Sequence, residues 1–77
     1  MKIIVALQVI YDSRIHGYTT MEIYFNIDDI ACVQEYSNTD YMYDTCKVWL
    51  EGQDSCFVIK GSAREFIQKM KDAKVEV

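Results

Sequence analysis

The strongest constraint on this chain is a change of hydrophobic period along its length. Across residues 18–27 the side chains alternate, with Met21, Ile23, Phe25 and Ile27 on one side and Thr20, Glu22, Tyr24 and Asn26 on the other. A period of two belongs to a β-strand, whose successive side chains point to opposite faces. The alternation returns over residues 45–51, where Cys46, Val48 and Leu50 oppose Thr45, Lys47 and Trp49. After Gly61 the spacing lengthens to that of a helix, and Ala63, Phe66, Ile67 and Met70 form one apolar stripe.

The segments between follow from turn chemistry. Residues 2–11, rich in Ile and Val, predict a first strand buried on both faces. The run DSRIHG then predicts a turn, with Asp12 and Ser13 bonding the backbone and Gly17 supplying a positive φ. In NIDDI, residues 26–30, the Asn and Asp side chains compete for local amides and favour a tight turn or one helical turn. Residues 30–36 and 55–60 complete the strands, with Gly52 in a hairpin turn before the last. Ser62 with Glu65 three residues on is a capping box, and Lys69, Lys71 and Lys74 suit the negative end of the helix dipole. The expected fold is α+β: one domain over residues 1–77, an antiparallel β-meander of about five strands with one C-terminal helix packed on one face.

Charge separates possible partners. Residues 22–54 carry eight acids against Lys47 alone, within a chain of net charge −4. That centre repels phosphate, so direct nucleic-acid binding is disfavoured and a protein with a basic surface is the expected partner. The three cysteines, Cys32, Cys46 and Cys56, form no CxxC pair and read as buried core residues, with neither disulfide nor zinc implied. No apolar run is long enough for a membrane span, and the opening MKIIVALQVIY lacks a cleavage site, so the expectation is a cytoplasmic protein without cofactor or metal. Six tyrosines, three phenylalanines and one tryptophan are many aromatics for 77 residues to bury, which leaves room for a homodimer or higher oligomer.

The run NIDDIACVQE followed by CKVWLEGQDSCFVIKGSAREFIQKM resembles the small FlbD-type flagellar proteins and their phage relatives over residues 26–70. The matching positions are Asn26, Asp28, Ile30, Val33, Glu35, Gly52, Val58, Ile59, Ser62 and Glu65. A looser similarity is to LytTR-type DNA-binding domains, which share the order strand, turn, strand, short helix. The first resemblance implies the hairpin-and-helix fold and a phage or mobile-element setting. The chain departs from the FlbD-type pattern in residues 37–44, which stand where that pattern has a short turn. It departs from the LytTR-type pattern in placing acids where those domains place bases.

That departure lies within EYSNTDYMYDT, residues 35–45, and here the candidate contact residues gather: Glu35, Tyr36, Asp40, Tyr41, Tyr43 and Asp44, with Trp49 in support. Tyrosine offers apolar and hydrogen-bonding contact at low ordering cost, and carboxylates beside it complement a basic partner. The expected function is therefore a non-enzymatic, acidic protein-binding module, a phage or mobile-element inhibitor of a host defence or nucleic-acid-handling protein. An alternative places a small ligand or nucleotide at the helix start, on Lys60, Gly61, Ser62 and Arg64. A second alternative is a LytTR-like DNA-binding regulator. His16 beside Asp12 and Ser13 sits within one short turn and cannot assemble a nucleophile, base and orienting acid.

Overall fold

A computed structural model describes residues 2–74. It contains β1 (Ile3–Asp12), β2 (Gly17–Asn26), a single 3-10 turn (Ile27–Asp29), β3 (Ile30–Tyr36), β4 (Thr45–Leu50), β5 (Cys56–Lys60) and α1 (Ala63–Lys74). The five strands form one antiparallel sheet, and the helix packs on one of its faces. Five strands and a single packed helix match the fold class that the periodicity predicts.

The strand order is β2-β1-β5-β4-β3, which corrects the expected meander: the β1–β2 hairpin and the β3–β4–β5 run are each sequential, but β1 joins them by lying beside β5. The β1–β2 hairpin is paired without interruption from Ile3 with Asn26 to Asp12 with Gly17. It joins the other three strands at one pair, Gln8 with Ile59. The body is elongated, 43 × 24 × 19 Å. Consecutive strands β2 and β3 end on opposite edges, linked by the 3-10 turn. Asn26 caps that turn, its side-chain oxygen accepting from the Asp28 amide at 3.2 Å. The Glu51 amide donates to the Asp29 carbonyl at 2.8 Å and fixes the turn to the end of β4.

The core lies between the sheet and α1. Ile4, Ala6, Phe25, Ile27, Cys46, Val48, Ile59 and Phe66 form one buried cluster, and Phe25 stands edge-on to both Phe57 and Phe66. The helix starts as the sequence predicts. The Ser62 hydroxyl accepts from the Glu65 amide at 3.1 Å, and the Glu65 carboxylate accepts from the Ser62 amide at 3.3 Å. Its Lys69 ammonium donates to the Val5 carbonyl at 3.0 Å, drawing the first strand against the helix.

Three local expectations are corrected. Over its first half β1 is covered on one face only: Ile4 and Ala6 are buried, while Ile3, Val5 and Leu7 point away from α1 and are exposed. A single helix cannot cover both sides of a sheet. On β2, burial fades towards the turn, so that Phe25 is buried and Met21 is 54% exposed. In the first turn the positive φ belongs to His16 (52°) and not to Gly17, which already pairs with Asp12. The reversal is thus complete one residue earlier than expected. Within it the Arg14 guanidinium binds both oxygens of Asp12, holding that carboxyl below its ordinary value.

Candidate functional site

Alternation along the paired strands defines a second face, away from α1. Tyr36, Thr45, Lys47 and Lys60 belong to it by register, as do Tyr11, Tyr18 and Val9 of the first hairpin. Residues 37–44 fold back over one end of this face. Asn38 organises the fold-back: its side-chain oxygen accepts from the Asp40 amide at 2.9 Å, and its carbonyl accepts from the Tyr41 amide at 3.1 Å. Its side-chain amide also donates to the Tyr36 hydroxyl at 3.1 Å. The far end of the loop is tied down where the Gly61 amide donates to the Asp44 carbonyl at 2.7 Å. Thr45, almost fully buried, donates its hydroxyl to the Tyr36 carbonyl and closes the neck.

The result is a tyrosine cluster centred on Tyr41. Its ring meets Tyr18 edge-on with centroids 4.8 Å apart, approaches Tyr36 at 6.3 Å, and lies parallel to Tyr43 at 6.4 Å. Tyr18 in turn meets Tyr11 at 5.5 Å. Edge-to-face and offset geometries let the positive ring edge meet the negative face, so the cluster is electrostatically favourable as well as apolar. Two cations complete it: the Lys47 ammonium stands 4.2 Å from the Tyr36 centroid and that of Lys60 4.7 Å from Tyr43. The cluster also explains Val9, which is buried although it lies outside the helix-side core. On this face Val9 neighbours Tyr11 along the strand and Thr20 across it, with Tyr18 on the diagonal.

Burial raises the Tyr41 phenol above its ordinary value of 10.0, with Tyr36, Tyr18, Asp40 and Tyr43 adding to the shift. Outside the cluster, Asp40 and Asp44 are exposed and Met42 stands 97% exposed at the loop tip. Ser37, Asn38, Thr39, Tyr41, Tyr43 and Asp44 line an open concavity of about 360 Å³ with it. The loop is therefore a fixed surface with a polar and aromatic lining.

The predicted contact residues divide between three places. Tyr36, Asp40, Tyr41, Tyr43 and Asp44 come together as expected. Glu35 faces the other way, and its carboxylate accepts from the Ala63 amide at 3.3 Å, anchoring the helix start. Trp49 pairs with Cys32 and Cys56 at the far end of β4. Four residues of strand from Thr45 to Trp49 put it about 13 Å from the loop's neck. It does share the face opposite Cys46, Val48 and Leu50, but β1 and β5 separate it from Tyr24. Four members of the cluster carry no signal in their local sequence: Tyr11, Tyr18, Lys47 and Asn38. The two tyrosines flank the first turn, and only the strand order brings them to the loop.

The helix start suits an anion poorly. Two carboxylates already accept its first amides, Glu35 from Ala63 and Glu65 from Ser62. Lys60 is drawn to Tyr43 on the other face, and only Gly61, Ser62 and Arg64 remain beside the cap. Among the described residues no group of three or more His, Cys, Asp or Glu side chains converges on a metal position.

The cysteines differ from one another. Cys46 is buried, and burial pushes its thiol up to about 11, with Glu35 and Glu65 contributing. Cys56 is half-buried, and Cys32 is exposed, against the expectation of three core thiols. Cys32 sits beside a bulge at Ala31 on the edge strand, where the register shifts between Ile30 and Cys32. Thiolate is the reactive form, so Cys32 should react with a disulfide reagent at neutral pH while Cys46 does so only on unfolding. Mass spectrometry of the native and denatured protein after timed exposure would check this; rapid native labelling of Cys46 would contradict the packing.

No family model, no curated protein and no solved structure matches this chain.

Proposed function

We propose that the chain is a non-enzymatic binding module that acts by protein–protein contact through residues 36–44. One observation carries this: the loop's tyrosines are fixed against the sheet while Met42, Asp40 and Asp44 are presented outward. A surface ordered before binding loses little conformational freedom on association. Tyrosine and methionine at its centre are the residue types that protein interfaces favour. The outward carboxylates suit a partner with a basic surface, of the sort a nucleic-acid-handling protein presents.

Reversing both charges, Asp40→Lys with Asp44→Lys, should weaken capture of such a partner by at least about tenfold, or 1.4 kcal/mol. Both residues are exposed, so the fold should be unchanged. Parallel capture from a host lysate with the parent and doubly changed proteins, scored by quantitative mass spectrometry, measures the difference. Equal recovery of every captured protein would remove the acidic loop from the contact.

A further inference from the structure

The two edges of the sheet are unlike. β3 carries a bulge at Ala31 and runs beside α1, with Lys71 and Lys74 lining the groove between them. Bulges and nearby lysines are devices that stop an edge from pairing further. β2, at the other edge, carries no bulge and no lysine of its own; Lys60 and Lys69 approach inboard of it, beside residues 5–7 of β1 and Glu22. β2 pairs with β1 over ten residues without a register shift, and its sequence GYTTMEIYFN contains no proline, no lysine and a single charge, Glu22. Its outer row of backbone amides and carbonyls is a ready template for another strand. Tyr18, Met21 and Tyr24 along it are exposed, and behind Tyr24 the exposed Ile3, Val5 and Leu7 continue the apolar surface.

We propose that β2 pairs antiparallel with β2 of a second copy of this chain, joining two sheets into one of ten strands. This surface meets residues 36–44 only through Tyr18, whose ring lies edge-on to Tyr41, and the proposal does not depend on their role. A second copy fits because the edge is self-complementary. In a strand already paired on one side, outward amides and carbonyls occur on alternate residues. Across a two-fold axis, outward groups meet outward groups only when both residues of a pair are odd or both even. That rule also keeps the two α1 helices on the same side of the joined sheet.

Charge selects among the registers the rule allows. Centring the axis on Glu22 would set two carboxylates directly opposite each other, which is unfavourable. Centring it on Met21 sets Glu22 opposite Thr20 and Tyr18 opposite Tyr24 of the partner copy. Two exposed rings then cover each other, and pairing extends from Gly17 to Phe25. The Met21-centred register is the one assigned.

Sedimentation velocity over a hundredfold range of concentration should show a species of twice 9.0 kDa. Met21→Lys should raise its dissociation constant at least tenfold, because it brings two cations together at the axis. Met21 is more than half exposed, so the change should leave the circular dichroism spectrum unaltered. With the exposed thiol removed by Cys32→Ser, Met21→Cys should cross-link copies under mild oxidation, since paired Cα atoms lie within disulfide reach. Glu51→Cys, at the tip of another hairpin, should not. A monomer at every concentration would overturn the proposal. So would a dimer that Met21→Lys leaves intact, or one that Met21→Cys cross-links no better than Glu51→Cys.

Discussion

Replacing Phe25 with alanine should lower the melting temperature by roughly 12–40 °C. Large-to-small changes of a buried phenylalanine cost about 3–5 kcal/mol, and each kcal/mol moves a domain of this size by about 4–8 °C. Phe25 is 3% exposed, and its ring is the point where three elements meet: its own strand β2, Phe57 of β5 and Phe66 of α1. Removing it leaves a void that no single element can close, because the sheet on one side and the helix on the other hold it open. Small domains have about 5–15 kcal/mol of stability in all, so Phe25→Ala should consume much of the total. Phe25→Leu retains most of the volume and should cost less than about 1.5 kcal/mol. Thermal unfolding followed by circular dichroism separates the two. A fall below about 5 °C for the alanine variant would mean that the β1–β2 hairpin does not dock where the structure puts it.

The importance of Phe25 could be suspected from its place on the apolar side of an alternating segment, but its partners could not. Alternation, capping and turn chemistry act over a few residues, and the elements they govern were legible: β3 with its bounds at Ile30 and Tyr36, the β4–β5 hairpin around Gly52, and the Ser62–Glu65 capping box. The placing of β1 beside β5 is decided by contacts 51 residues apart in sequence, with Gln8 against Ile59. Nothing local records it. Two misjudgements share that cause. Ile3, Val5 and Leu7 look like core residues by composition, yet α1 reaches only the other side of their strand. Cys32 looks like a small core residue, yet β3 lies at the edge of the sheet, and Cys32 is exposed there beside the bulge.

The candidate site shows the same division. The concentration of tyrosine and acid in residues 35–45 was plain in the sequence, and five of the seven expected residues do gather. What the sequence could not supply was the surface under the loop. A run with three tyrosines and no lysine reads as a solvated acidic connection. In the structure its rings turn inward, meet two more tyrosines from the first hairpin, and receive two lysines from β4 and β5. Glu35, adjacent to Tyr36, is carried to the opposite face by the pleat and caps the helix instead. One step along a strand thus separates a contact residue from a structural one.

Tyr41 is where stability and contact coincide, and Tyr41→Ala should damage both. Its ring makes three aromatic pairs, with Tyr18, Tyr36 and Tyr43. At about 0.5–1.5 kcal/mol for each pair, and with their non-additivity, the expected loss of stability is about 2–3 kcal/mol. Without that anchor the loop must be ordered on binding, so affinity for a partner contacting residues 36–44 should fall by at least about 2 kcal/mol, or some thirtyfold. Tyr41→Phe separates ring from hydroxyl. It should keep the packing within about 0.5 kcal/mol of the parent at neutral pH. It should also change the response to alkali. The folded state holds the Tyr41 proton more tightly than the unfolded chain, where the phenol titrates near its ordinary value of 10.0. The stability that this provides is complete below that value and is lost as pH rises through the higher folded one. Parent protein should therefore lose stability in alkali more steeply than Tyr41→Phe. Urea unfolding at neutral and alkaline pH, on the parent and both variants, tests the three expectations together. If the alanine variant were as stable as the parent, the rings would be lying on the sheet without holding the loop to it.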